Sequence, residues 1–202
     1  MINLNPFQLD ALREIGSMSA GSAATALAHL INQKVKMSLP EVITLEEVSQ
    51  CCSYSKEETI IMHSKISNGL EGKTIFTATY SNTTFLLQLL LGSSYNLSFN
   101  IGDEMVQSSL KEVGMMVFGS YVKVLGEVIN RTLLIKPPQI WTGKKEESTR
   151  YISEEVLNSL TKTLCFKSFL WIDIESSISF LLIFIPHRNY INILLRAIGI
   201  AN

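Results

Sequence analysis

Two stretches of this chain are written in one register. The first opens at Asp10, runs through Glu14, Gly16, Ser17, Met18 and Gly21, and reaches Pro40; the second opens at Ser108, runs through Glu112, Gly114, Met115, Met116 and Gly119, and reaches Pro138. Adding 98 to a position in the first gives its mate in the second. Leu12/Leu110, Glu14/Glu112, Gly16/Gly114, Met18/Met116, Gly21/Gly119, Ser22/Ser120, Leu27/Leu125, Ile31/Ile129, Asn32/Asn130 and Pro40/Pro138 are identical. A register held without a gap over that distance implies a duplicated fold in which one surface device is built twice.

The order of predicted elements agrees. Asn5-Pro6 is a helix start, a capping residue followed by proline in the first turn. Leu9, Leu12, Ile15 and Met18/Ser19 then recur at helical spacing and are expected to face inward. A break is expected near Gly21, with a second helical piece over 23–31. Short strands are expected on either side of Pro40. Residues 59–66 and 73–80 form a hairpin across Asn68-Gly69, and a helix runs from Asn82 to Leu91, ending at Gly92. After a polar connector over 92–100 the order recurs. A long helix covers 103–131 with a break expected at Gly119. A strand at 133–135 precedes Pro137-Pro138, an amphipathic helix spans 153–164, a hairpin joins 166–174 to 177–185, and a helix over 189–198 closes the chain. Segment 45–55 carries no motif. The reading is an α+β fold: internally duplicated helix–strand–hairpin–helix units that form one continuous, mostly antiparallel sheet with the long helices on one face. It is a single domain of two pseudo-symmetric repeats, about 1–98 and 99–202.

Composition narrows the function classes. The 202 residues are 47% hydrophobic and 17% charged, with a formal net charge of −1. That argues against disorder and, with no basic block, against nucleic acid or an anionic membrane as the main partner. The longest apolar runs are too short to span a bilayer and the N-terminus has no signal pattern, so a cytoplasmic protein without membrane insertion is expected. Adjacent Cys51 and Cys52 with distant Cys165 make neither a disulfide framework nor a zinc site. The scattered His29, His63 and His187 read as surface or packing residues, and no metal site is expected.

The repeated device lies on the first helix of each half. A spacing of three puts Glu14 and Ser17, or Glu112 and Met115, on one helix face. With Leu12 and Ile15 turned inward, Glu14 and Ser17 face out. A lone glutamate there would read as a solvated residue near a helix N-terminus; the duplication argues for a binding role. Met115 reads as a packing residue, and the repeated glycines as sites of close approach or of a helix break.

These residues resemble the CheC/CheX/FliY family of bacterial chemotaxis phosphatases, CheC most closely. The family pattern is Asp/Ser-x3-Glu-x2-Asn followed by a proline some twenty residues on. The resemblance covers nearly the whole chain, through the two helix openings at Leu12–Gly16 and Leu110–Gly114, the Gly119-Ser120-Tyr121 run and the two prolines. It implies that the protein acts on the phosphorylated response regulator CheY. In the family the Glu contacts the regulator and the Asn orients a water that attacks the aspartyl-phosphate. The chain then needs no cofactor of its own, because Mg²⁺ sits on the partner, and catalysis is by positioning. Carried over by motif, Glu14 and Ser17 stand at the catalytic positions, and Glu14, Glu112, Asp10 and Ser108 at the regulator-binding positions. Glu112 with Met115 is a degenerate second site.

The motif asparagine is absent from both repeats. Ser17 keeps a hydroxyl on a shorter side chain, while the Met115 thioether cannot orient a water. The first site is expected to be weak or dead and the second dead; Ser19 or Gln107 are other polar groups that could take over the amide's task. The resemblance also implies possible binding of the deamidase CheD near Glu146. Two readings stay open: a weak phosphatase of phospho-CheY, and an inactive CheC-like adaptor that binds a response regulator or CheD. A third, a switch component like FliY, is disfavoured because the two repeats use up the length.

Overall fold

A computed structural model describes residues 4–52, 56–92, 100–158, 163–173 and 178–200. Its elements run α1 Pro6–Ile31, β1 Val35–Met37, β2 Glu41–Thr44, α2 Leu45–Cys51, β3 Thr59–Ser67, β4 Gly72–Thr79 and α3 Tyr80–Leu91. The second half follows with α4 Glu104–Val128, β5 Leu134–Ile135, β6 Gln139–Gly143, α5 Lys145–Tyr151, a π-helical turn Ile152–Val156, β7 Leu164–Ile172, β8 Ser179–Pro186 and α6 Arg188–Ala197. Long helix, two short strands, short helix, hairpin, helix thus occurs twice.

Every strand pair is antiparallel, and the sheet runs β1-β7-β8-β4-β3-β5, with β2 also on β7 and β6 also on β3. Each hairpin therefore takes its edge strands from the other half. The centre, β4 beside β8, is buried on both faces, which is why β8 reads as an unbroken apolar run. Its side chains alternate between two cores. Phe180, Leu182 and Phe184 pack with α1, α3, α4 and α6; Leu181, Ile183 and Ile185 pack with Val48 of α2 and with Ile152 and Val156 beyond α5. The long helices cover one face, as the periodicity implied. The other face is covered by α2, which the sequence reading missed, and by α5.

Both long helices are continuous, which corrects the breaks expected at Gly21 and Gly119. A mid-helix glycine costs about 1 kcal/mol relative to alanine. Beyond Gly21, Leu27 and Ile31 are buried, each contributing about 1.5–3 kcal/mol, so packing carries the helix through. The N-terminus of α1 is the expected cap, made reciprocal: Gln8 N donates to Asn5 Oδ1 at 2.8 Å and Asn5 N to Gln8 Oε1 at 3.1 Å. The repeated Asn32 and Asn130 end the helices with φ of 50° and 53°, a left-handed conformation that asparagine tolerates.

The helix expected over 153–164 is displaced. Helical structure starts at Lys145 and ends with the π-turn at Val156, residues 159–162 lie outside the described ones, and Leu164 already opens β7. The second hairpin is Leu164–Ile172 with Ser179–Pro186, its expected tip at 174–177 again outside the described residues, as is most of the 92–100 connector. Cys165, distant in sequence, packs in the same cluster as Cys52, with Cys51 against it. All three are free thiols, and burial raises the pKa of each.

Candidate functional site

The register of the two repeats has a tertiary cause. A Cβ built on Gly16 would sit 3.3 Å from both Cβ and Cγ of Pro40; one on Gly114 would sit 2.9 Å from Cγ and 3.1 Å from Cβ of Pro138. Both prolines are buried. In each half the kink between the two edge-strand segments therefore rests on the glycine of the long helix. That contact fixes the height and rotation of the helix over the sheet, and so the direction in which the residues two before and one after the glycine point.

Those residues are Glu14 and Ser17, or Glu112 and Met115. Glu14 and Glu112 are exposed and Ser17 is half-buried, while Leu12, Ile15, Leu110 and Val113 are buried beneath them. Asp10 and Ser108, one turn earlier on the same stripes, are exposed as well. Arg13 Nη1 lies 3.2 Å from Asp10 Oδ1, an exposed pair of small energetic weight. No ion pair involving Glu14 or Glu112 is present among the described residues. Each carboxylate is therefore presented without a counter-charge.

Three side chains are placed differently from their expected positions. Met18 is 53% exposed where an inward direction was expected. Met115, expected to pack, is 41% exposed. Ser19 is fully buried, its Oγ without a partner, and cannot reach a molecule docked on the surface. The structure also adds residues that no motif had singled out. Phe7, Met18, Met105 and Met116 are exposed apolar side chains, and Phe7/Met105 and Met18/Met116 are mates in the repeat. Phe7, Glu14 and Met18 follow at i, i+7 and i+11, so the first carboxylate lies along a stripe of exposed apolar surface. Exposed large apolar groups at matching places in both halves were legible from the register alone, had Phe7 been paired with Met105.

An exposed carboxylate flanked by apolar side chains and followed one turn on by a hydroxyl can dock against another protein and hold one polar atom near it. The second copy has the carboxylate and the apolar flank and lacks the polar atom. Glu146 is exposed in the first turn of α5, on the opposite side of the sheet from Glu14 and Glu112. Among the described residues no group of three or more His, Cys, Asp or Glu could hold a metal ion, and no helix is long and apolar enough to cross a membrane.

Residues 7–44, which hold α1, Glu14, Ser17 and Pro40, match the CheC-like family. A stretch of 138 residues, 68% of the chain, is 26% identical to the flagellar motor switch phosphatase FliY of Bacillus subtilis (strain 168) and spans 36% of it. A stretch of 139 residues, 66% of the chain, is 27% identical to the CheY-P phosphatase CheC of the same organism and spans 65% of it. The chain thus spans about a third of one relative and just under two thirds of the other. The crystal structure of Thermotoga maritima FliY superposes with a TM-score of 0.73 over 98% of both chains at 19% identity. CheX in its complex with CheY, BeF3 and Mg²⁺ from Borrelia burgdorferi gives 0.55 over 85% of this chain and 96% of that one at 14% identity. In sequence the chain resembles CheC and FliY, and in fold it resembles FliY and CheX.

Proposed function

We propose that this protein binds a phosphorylated response regulator of the CheY type through the exposed face of α1 and hydrolyses its aspartyl-phosphate slowly. Glu14 contacts the regulator and Ser17 holds the attacking water. The observation that carries this reading is the placement of Glu14. It is exposed and forms no ion pair among the described residues, is aimed outward by the Gly16–Pro40 contact, is bordered by Phe7 and Met18, and lies within the segment that matches the CheC-like family. The relatives named for CheY-P hydrolysis and the CheX–CheY complex support the choice of partner.

The chemistry asked of this chain is small. An aspartyl-phosphate with Mg²⁺ on the partner needs only a water held in line. A serine hydroxyl can both donate to and accept from that water, from a shorter reach than an asparagine amide. Loss of one positioned hydrogen bond at such a step costs on the order of 10²-fold in rate, which sets the expected weakness of the first site. Glu112 with Met115 provides a second docking face without a water-holding group. A second reading, an inactive adaptor for a response regulator or for CheD near Glu146, is favoured by the absence of the motif asparagine from both repeats.

The discriminating experiment measures the dephosphorylation rate of phosphorylated CheY with and without the protein, beside binding to CheY carrying a phosphate mimic. Acceleration that vanishes in Glu14→Ala supports hydrolysis at Ser17. Binding without acceleration supports the adaptor. Neither binding nor acceleration removes CheY as the partner.

A further inference from the structure

The two repeats treat the break in their edge strands differently. The break falls at Ser38-Leu39-Pro40 between β1 and β2 and at Lys136-Pro137-Pro138 between β5 and β6, where proline offers the ladder no N–H. In the first repeat the gap is closed. Ser38 N donates to the Phe169 carbonyl at 2.9 Å, and Phe169 N donates back to Ser38 Oγ at 3.0 Å. Just beyond it, Lys167 Nζ lies 2.5 Å from Glu41 Oε2 across the β2–β7 ladder. Every charge there is matched within the protein.

The second repeat has the cations without the acid. Lys136, the mate of Ser38, donates its N–H to the Lys65 carbonyl at 3.0 Å. In a strand a residue's N–H and C=O point to the same side, so the Lys65 N–H faces the same gap. Position 136 has no hydroxyl to accept it, and the hydroxyl that does span this gap, Ser64 Oγ, donates to the Lys136 carbonyl at 2.5 Å. Across the β3–β6 ladder His63 faces Gln139, where the first repeat sets Lys167 against Glu41. The carboxylate has become a neutral amide. Lys65 and Lys136 are exposed and form no ion pair among the described residues.

The result is a hollow of about 310 Å³ lined by His63, Ser64, Lys65, Lys136, Pro137 and Gln139, with no acidic side chain among them. His63 is 5% exposed. One ring nitrogen, Nε2, lies 2.8 Å from the Tyr151 hydroxyl. Its Nδ1 has no hydrogen-bond partner among the described residues; in the tautomer whose Nε2 accepts from the Tyr151 hydroxyl, Nδ1 carries the proton and can donate.

We propose that this hollow binds a small phosphate dianion, free or as a monoester. Two ammonium groups match two negative charges, and the Lys65 N–H, the His63 Nδ1–H and the Gln139 amide supply neutral donors for the remaining oxygens. A monocarboxylate would leave one lysine uncompensated. The volume suits a small molecule and not a peptide. The hollow lies at the edge of the sheet, with His63 and Gln139 on the face opposite α1 and α4, so the proposal is independent of what docks on Glu14.

His63 provides the readout. Burial, with Lys73 and Lys65 nearby, holds its pKa down to about 4 in the empty protein. A dianion in the hollow reverses the sign of the local field and raises that pKa. The imidazole resonances of the full chain are followed while inorganic phosphate, and separately glycerol 3-phosphate, is titrated in at constant ionic strength set with chloride. The expected result is a saturable shift of His63 with His29 and His187 unmoved, weakened about tenfold or more in Lys65→Ala with Lys136→Ala. The same loss is expected in Lys136→Ser with Gln139→Glu, which rebuilds the closed gap of the first repeat. Tighter binding of the ester identifies a phosphorylated metabolite as the ligand, and equal binding identifies free phosphate. A shift that does not saturate by about 10 mM, or one that persists in both double variants, overturns the proposal.

Discussion

If the glycine–proline contact sets each long helix on the sheet, then Gly16→Ala and Gly114→Ala should differ in stability despite their matching places in the two repeats. Both glycines are interior to a helix, so each substitution gains about 1 kcal/mol of helix propensity. The contacts separate them. At Gly16 the new Cβ meets Pro40 at 3.3 Å and Phe166 Cδ1 at 3.4 Å, a crowding that a few tenths of an ångström of movement relieves. At Gly114 it meets Pro138 Cγ at 2.9 Å and Cβ at 3.1 Å, and a buried proline ring tied to its own backbone moves only with the strand. Overpacking costs about 1–3 kcal/mol. Taking the low end for Gly16 gives a net change near zero; the middle of the range for Gly114 gives a net loss of about 1 kcal/mol. The more crowded Gly114→Ala should therefore fall below Gly16→Ala by about 1 kcal/mol, or roughly 2–4 °C in melting temperature for a chain of this size. Urea unfolding of both variants measures this, with the slope m unchanged. Adding Pro138→Ala, which removes the Cγ atom, should recover about 1 kcal/mol of the Gly114→Ala loss by coupling between neighbours. Equal stability of the two glycine variants, or no relief from Pro138→Ala, would refute the contact as the determinant of helix placement.

Three further outcomes are expected. Ser17→Asn should raise the rate of phospho-CheY dephosphorylation, by up to about 10²-fold, and Glu14→Lys should abolish regulator binding at that site; no gain from Ser17→Asn in a stopped-flow or phosphate-release assay counts against water positioning. His63 stays neutral in the folded protein down to about pH 4, whereas an unfolded histidine takes up its proton near pH 6.5. The unfolded state thus binds more protons between those values, and stability is lost as pH falls from 6.5 towards 4, by up to about 3 kcal/mol from this residue. Unfolding free energies of the wild type and His63→Gln should converge or cross over that interval, and parallel curves would exclude His63 as the cause. Finally, Asn5→Ala removes the side-chain half of the capping box and should cost about 1 kcal/mol, seen as a lowered denaturation midpoint.

The fold was legible to the extent that its signals are local. The Asn5 cap, the inward spacing of Leu12 and Ile15, the Asn68-Gly69 turn and the hairpin strands rest on interactions within a few residues, and each lies where the sequence puts it. The reading failed where local preference and packing disagree. Gly21 and Gly119 lower helix propensity, yet their neighbours bury enough apolar surface to hold the helix. Helix α2 is too short for periodicity to reveal, α5 begins eight residues before the helix the periodicity gave, and both exist because the back of the sheet must be covered. At the candidate site the glutamates were found by their register. Met18 and Met115 were misread because an apolar residue in a helix is usually core, and only the assembled helix layer shows how far both are exposed.

What the sequence determined by itself is the repeated register, the class of fold, the outward glutamate of each half and the absence of asparagine from positions 17 and 115, since these are properties of spacing and residue type. What only the tertiary structure decided is how the two halves came to differ. Ser38 reaches Phe169 across 131 positions of the chain, and Gly114 meets Pro138 at a distance that Gly16 and Pro40 do not share. Contacts of that kind depend on which strand lies beside which, and strand order is settled by the burial of the whole sheet between two helix layers. The same burial leaves one edge gap bridged by the Ser38 hydroxyl with a salt bridge beside it, and the other bridged by the Ser64 hydroxyl and lined with unpaired lysines among the described residues.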